Sequence, residues 1–252
     1  MSAPIIAIFN QSGGVGKTTV TQNLGYNLGQ LKKKVLVVDV DPQSSLTAFM
    51  GLEPMDLEKT IYQAVVHKEE PSIVKNLHGI DLLPSNLQLS KAEMELAGAI
   101  MRDLRLKQVL EKLINNYDIV LLDCPPSLGI LSVMSLVAST HVIVPIQTEF
   151  KALKGTELLI NTIMEVINEA NLNLSIAGII PTMHDARLSQ ASKSLEAIQQ
   201  LEQIAKILPI IPRATDFANA SQNRQPLAVY NPKHPAVKVL EKIATTIMKD
   251  VL

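Results

Sequence analysis

The chain has one cysteine, no tryptophan, four phenylalanines, four tyrosines and a net charge of only −1 over 252 residues. A single thiol, Cys124, excludes an internal disulfide and reads as core packing. Aromatic residues at 3% exclude the stacking platform on which single-stranded nucleic acids are held. Balanced charge excludes recognition by the field of the whole chain, so a polyanion would have to meet a local cluster of cations. No apolar run reaches the length of a membrane span, and no basic stretch precedes a short apolar core at the N-terminus. The expectation is therefore a cytoplasmic protein. The histidines, at 67, 78, 141, 184 and 234, lack metal-ligand spacing.

What is abundant is apolar surface, 47% of residues, enough for a substantial core. Short apolar runs at 4–9, 34–39, 79–84, 117–123, 141–146, 174–180 and 206–211 alternate with helix-like segments. That alternation predicts an α/β fold with a mostly parallel, twisted sheet and helices on both faces. No Ser/Gly/Pro linker interrupts it, so residues 1–252 are read as one domain. Between 51 and 115 the apolar periodicity predicts several helices around the short strand Ile80-Asp81-Leu82-Leu83, a region where partner specificity could lie.

Phe9-Asn10-Gln11-Ser12-Gly13-Gly14-Val15-Gly16-Lys17-Thr18-Thr19 joins the first strand to a predicted helix from Lys17 to Leu31. Glycines at 13, 14 and 16 allow the backbone to turn successive N–H groups inward, and the helix N-terminus adds partial positive charge. Together with Val15 they predict a polyphosphate cradle. Lys17 is placed for the β- and γ-phosphates, Thr18 for Mg²⁺ and Thr19 for the α-phosphate. The strict phosphate-loop pattern fails at its first glycine, where Gln11 stands.

Two further strands end in carboxylates, where an open α/β sheet gathers its chemistry. Lys34–Val38 runs into Asp39-Val40-Asp41-Pro42-Gln43, and Tyr117–Leu122 runs into Asp123-Cys124-Pro125-Pro126. Each aspartate alone reads equally as a cap or turn former. Beside a phosphate loop, Asp123 reads as a water-mediated holder of Mg²⁺, and Asp39 as part of the same shell. Asp41 shares the side of Asp39 and is placed to orient an attacking water.

The loop, the Asp-Val-Asp-Pro-Gln block, Leu122–Gly129, Val142–Phe150, Thr182–Arg187 and Ile211–Arg213 resemble, in order, the blocks of the ParA/MinD family of deviant Walker ATPases. The resemblance runs from Ile5 to about Pro232. It implies a P-loop NTPase that binds ATP and Mg²⁺, closes as a homodimer around two nucleotides, and positions cargo through slow hydrolysis stimulated by a small adaptor of ParB or McdB type. It also assigns hydrolysis to Asp41. The single thiol falls short of the two that each subunit of the nitrogenase iron-protein relatives gives to a shared cluster.

Relatives carry a lysine before Gly-Gly that crosses the dimer interface; this chain has Ser12, too short and uncharged. Lys151 and Lys154, in a block where relatives are uncharged or acidic, are the candidate replacements. Lys151 is preferred, its alternative being a solvated surface charge. The missing lysine resembles the McdA branch, which distributes carboxysomes over the nucleoid, so nucleoid-associated carboxysome positioning is the expectation, with chromosome or plasmid partition as the alternative.

For non-specific double-stranded DNA the resemblance gives Arg187, whose other reading is a pair with Asp185. A second family arginine falls on Asp216, and Arg224 is the candidate to restore that charge, with Arg213 and Lys233 further. Met183 and Pro212 correspond to the adenine pocket, or else merely pack. A membrane-recruited, MinD-like ATPase would need a basic amphipathic C-terminal helix. Residues 234–252 are amphipathic but lack a large aromatic, so a docked closing helix is the better reading. A metabolic P-loop enzyme of the dethiobiotin-synthetase kind shares the architecture and would carry a small-substrate pocket.

Overall fold

Residues of the central strands alternate strictly between two apolar cores. Ala7, Leu36, Val38, Val120 and Leu122 face one; Ile6, Ile8, Val35, Val37, Ile119 and Leu121 face the other. Burial on both faces is why these strands read as continuous apolar runs, as parallel strands covered by helices do. The structure, a computed structural model, describes residues 3 to 252, apart from the side chains of residues 150 to 154.

Among the described residues one sheet has the order β3-β4-β2-β5-β1-β6-β7. Its strands are β1 (Ile5–Ile8), β2 (Val35–Asp39), β3 (Val74–Leu77), β4 (Ile80–Leu83), β5 (Ile119–Asp123), β6 (His141–Gln147) and β7 (Ser175–Thr182). All described pairings are parallel except β3 with β4. Helices α1 (Lys17–Gln30) and α2 (Ser45–Phe49) cover the face of the second core. Helices α3 (Ile61–His67), α4 (Ala92–Glu95), α5 (Arg105–Glu111), α6 (Ile130–Ala138), α7 (Phe150–Glu169) and α8 (Ser189–Gln199) belong to the opposite layer. Helices α9 (Thr215–Gln222), α10 (Leu227–Tyr230) and α11 (Pro235–Val251) return to the side of α1.

Two strand expectations differ from the structure. The run 206–211, expected as a strand, forms only isolated bridges, Ile179 with Ile207 and His184 with Pro212. Pro209 and Pro212 lack the N–H groups a continuous ladder requires, so the segment lies along β7 as a strap bonded at Leu208 and Ile211. Conversely, β3 is a short polar edge strand, turned into β4 through His78 (φ 51°) and Gly79 (φ 84°). Its alternation is too brief for the pattern to register.

Helix α11 buries Val237, Leu240, Ile243 and Ile247, the apolar face that membrane recruitment would have required to be free. No helix among the described residues is long and apolar enough to cross a membrane.

Helix α1 lies unusually close to the sheet because Gly25 and Gly29 face it. A Cβ on Gly25 would stand 2.9 Å from Val37 Cγ1 and 3.0 Å from Ile80 Cδ1. Valine is stiff at χ1, so the neighbour yields poorly. Overpacking costs about 1–3 kcal/mol, against about 1 kcal/mol gained in helix propensity. Gly25→Ala is therefore expected to lower the urea midpoint, by about 1 kcal/mol of net stability. A raised midpoint would show that α1 has room to retreat.

Candidate nucleotide site

The loop after β1 is pinned from three directions. Asn10 Nδ2 donates to the Pro145 carbonyl at 2.6 Å, the Ser12 N–H donates to Asn10 Oδ1 at 2.9 Å, and Thr182 Oγ1 donates to the Val15 carbonyl at 2.9 Å. Gln11, the residue at the missing first glycine, donates to Thr162 Oγ1 on α7 at 3.2 Å. Gly14 (φ 74°) and Gly16 (φ 91°) are left-handed, which a side chain would strain, and Gly16 leads directly into α1. The cradle is open: a Cβ on Gly14 would meet nothing within 4 Å. Lys17, buried, curls over the loop and donates to the Ser12 carbonyl at 2.9 Å. Burial holds its pKa below the ordinary lysine value, opposed by the nearby charges of Asp123, Cys124 and Asp41.

Asp39 and Asp123 stand opposite each other in register at the tips of β2 and β5, both at 0% exposure. Burial pushes the Asp39 carboxyl up to about 7. Burial first, then the charge of Asp39, holds Asp123 well above the usual carboxylate range, with the nearby Thr18 hydroxyl and the charge of Lys17 working the other way. The two carboxylates differ in what they touch. Asp39 has both oxygens engaged, Oδ2 by the Thr47 N–H (2.8 Å) and hydroxyl (2.7 Å), Oδ1 by the Asp41 N–H (3.2 Å). Asp123 Oδ1 receives the Thr21 hydroxyl at 3.4 Å, while Oδ2 is buried with no hydrogen-bond partner among the described residues. Asp41 accepts the Gln43 N–H at 2.9 Å, and burial raises its pKa.

The residues fit Mg²⁺. An unpartnered buried carboxylate oxygen beside the Thr18 hydroxyl suits an octahedral ion that keeps waters and takes most other ligands from phosphate. No cluster of three His, Cys, Asp or Glu side chains with metal-binding geometry occurs among the described residues.

Beside the cradle opens a mostly apolar cleft of about 550 Å³, lined in part by Gly16, Thr19, Met183, Pro212, Phe217 and Arg224. Its size and character suit a nucleobase and ribose. The structure thus brings Met183 and Pro212 onto the loop. Arg224 is turned into this cleft, 3.5 Å from Glu53 and 3.4 Å from the Gly51 carbonyl. Arg187 stands apart, 88% exposed and paired with both oxygens of Asp185 at 2.9 and 2.7 Å. Asp216, at the lost family arginine, accepts from Asn231 at 2.7 Å. Lys151 and Lys154 fall within α7, but their side chains lie outside the described residues. Sequence reasoning missed Thr47, a buried threonine on a five-residue helix, and Phe217. Neither belongs to a pattern that announces chemistry.

A strand, a left-handed glycine turn, a buried lysine at a helix N-terminus and paired strand-tip aspartates define a P-loop nucleoside triphosphatase. A family model described as an AAA domain matches residues 3–176. The chain is 38% identical to the sporulation initiation inhibitor protein Soj of Bacillus subtilis over 96% of its length and 97% of the relative's. It is 33% identical to the chromosome partitioning protein ParA of Caulobacter vibrioides over 97% of its length and 93% of that protein's. Among solved structures, a Mycobacterium smegmatis protein named cobyrinic acid a,c-diamide synthase, with bound ADP and magnesium, superposes with a TM-score of 0.87 at 31% identity, covering 98% and 94% of the two chains. Apo McdA of Cyanothece superposes with a TM-score of 0.87 at 25% identity, covering 97% and 99%. The chain belongs to the ParA/MinD family of Walker ATPases. It is an ATPase that works with ATP and Mg²⁺.

Proposed function

We propose that this ATPase closes as a homodimer around two nucleotides, binds double-stranded DNA without sequence preference in that state, and uses hydrolysis to position cargo. The observation that carries the dimer is the exposure of Ser12, Gly13 and Gly14. The chain buries the lysine but leaves the outer rim of the phosphate cradle to solvent, so a second copy is needed to exclude water there.

Gly13 to Gly16 hold phosphate through backbone N–H groups, and Lys17 leaves the Ser12 carbonyl to neutralise the β- and γ-phosphates. Thr19 borders the α-phosphate, and Met183 and Pro212 sandwich the base. Thr18 and Asp123 hold Mg²⁺, which spreads the charge developing on the phosphoryl oxygens. Asp39 adjoins that shell from β2. Asp41, nearly buried beyond the tip of β2, orients the water that attacks the γ-phosphate.

Lys151 supplies the cross-dimer cation that Ser12 does not. Arg187, exposed on its loop, exchanges Asp185 for DNA phosphate. Arg224 serves DNA only at the cost of its cleft contacts, so Arg187 carries more of that role. Identity with Soj favours a partition complex as cargo, whereas Ser12 and the likeness to McdA favour a carboxysome. In either case a small adaptor of ParB or McdB type stimulates hydrolysis on the nucleoid.

Light scattering with Mg-ATP, followed by DNA retention across a salt titration, tests the reading. Lys151→Ala is expected to remain monomeric where the parent dimerises. Arg187→Glu is expected to dimerise normally but lose about tenfold in DNA affinity and flatten the salt dependence. A parent protein that stays monomeric with ATP, or equal DNA retention by Arg187→Glu, would count against it.

A further inference from the structure

Asp39 sits at the end of a buried chain of hydrogen bonds that starts just beyond the neighbouring strand, β4. The Ser85 N–H, just beyond β4, donates to Thr47 Oγ1 at 2.9 Å. The same hydroxyl donates to Asp39 Oδ2 at 2.7 Å, and the Thr47 N–H reaches that oxygen at 2.8 Å. The other carboxylate oxygen, Oδ1, accepts the N–H of Asp41 at 3.2 Å. Ser85, Thr47 and Asp39 are all at 0% exposure.

A hydroxyl has one proton to give. By receiving from Ser85 and giving to Asp39, Thr47 is fixed in a single orientation, and the carboxylate it grips with two donors is fixed with it. The bond from Asp41 then ties the backbone of the residue two positions on to that carboxylate. Helix α2, which carries Thr47, is itself held at both sides. Its next residues, Ala48 and Phe49, wall the base cleft, and the Phe49 carbonyl accepts Gln22 Nε2 of α1 at 2.7 Å.

We propose that Thr47 is a positioning residue for hydrolysis: through Asp39 it sets the backbone from which Asp41 presents its carboxylate to the attacking water. The inference rests on the reading of Asp41 given above. It assigns Asp39 a structural task toward Asp41, one that leaves the open oxygen of Asp123 to face the metal. A serine retains the hydroxyl, whereas a valine keeps the shape and removes it, so the pair separates hydrogen bonding from packing. A misplacement on the order of 1 Å at a reacting group is worth roughly a hundredfold in rate.

The test measures ATP turnover at saturating Mg-ATP together with equilibrium nucleotide affinity for T47V, T47S and D41A. T47V is expected to lower kcat by about 10–100-fold with KM within about threefold of the parent. T47S is expected to recover kcat to within about threefold. A T47V protein with parental kcat, or a T47S protein as slow as T47V, would overturn the proposal. So would a loss of affinity parallel to the loss of kcat, which would place Asp39 on the metal instead. Should D41A hydrolyse at the parental rate, the reading of Asp41 itself has failed, whatever Thr47 does. If T47V does not fold, D39N gives the same decision: a reduced kcat with retained Mg²⁺ dependence supports the proposal, and a weakened Mg²⁺ dependence overturns it.

Discussion

Asp41→Ala is expected to bind Mg-ATP within about threefold of the parent affinity and to hydrolyse it about 10²–10⁴-fold more slowly, the range carried by a positioned acid or base. Asp41 lies beyond the tip of β2, at 9% exposure. The only hydrogen bond described for its carboxylate is from the Gln43 N–H, so removing the carboxylate exposes one backbone donor near solvent and disturbs little packing. Phosphate binding would still rest on Gly13–Gly16 and Lys17, which the substitution leaves in place. Release of phosphate, followed beside equilibrium nucleotide titration, separates the two quantities. An unchanged turnover would remove Asp41 from the chemistry, and a collapse of affinity would make it a binding residue.

Asp123→Asn should act in opposite directions on the free protein and on the liganded one. In the free protein two carboxylates share a fully buried site, and both have pKa values raised above the ordinary 3.8. A carboxyl with a raised folded pKa holds its proton more tightly folded than unfolded. The folded state is therefore favoured below about 3.8 and loses that advantage as pH rises through the folded pKa, which for Asp39 is about 7. Neutralising Asp123 removes one of the two buried charges and relieves Asp39 as well. The nucleotide-free variant should be more stable than the parent at pH 8, by about 1–4 kcal/mol, and its stability should vary less between pH 5 and pH 8. The parent gains stability from Mg-ATP because the ligand binds only the folded state, and this gain should shrink sharply in the variant. Thermal unfolding at both pH values, with and without Mg-ATP, reads all of this. A free variant less stable than the parent at pH 8 would mean that the Thr21 and Thr18 hydroxyls stabilise the ionised carboxylate more than burial penalises it.

The central strands were legible because burial on both faces leaves no polar residue to break the run, as in Ile5–Phe9 and Ile119–Leu122. The phosphate loop was legible because its glycines and Lys17 are adjacent in sequence. The run at 206–211 misled because Ile207–Ile211, with Pro209 inside it and Pro212 after it, has the apolar content of a strand but not its donors. The apolar cleft was only half visible: Met183 and Pro212 came through resemblance, whereas Phe217 and Arg224 join it only because α9 and the turn after it come back beside the loop. Thr47 was invisible for a related reason. A hydroxyl's orientation depends on partners from β2 and the end of β4, and nothing in its local sequence encodes them.

The proline strap has a further consequence for how copies of this chain can meet. An open parallel sheet exposes two edges, and an exposed edge invites another chain to add a strand. On the β7 side, Lys206–Pro212 occupies that edge with a segment that cannot pass a ladder onward, because prolines interrupt its donors. On the other side β3 is four residues long and kinked at Asn76 (φ 58°). Concentrated on a surface, such molecules are steered away from strand-by-strand growth into irreversible stacks. The dimer proposed above, closing through the open rim of the cradle, would then meet no competition from strand addition.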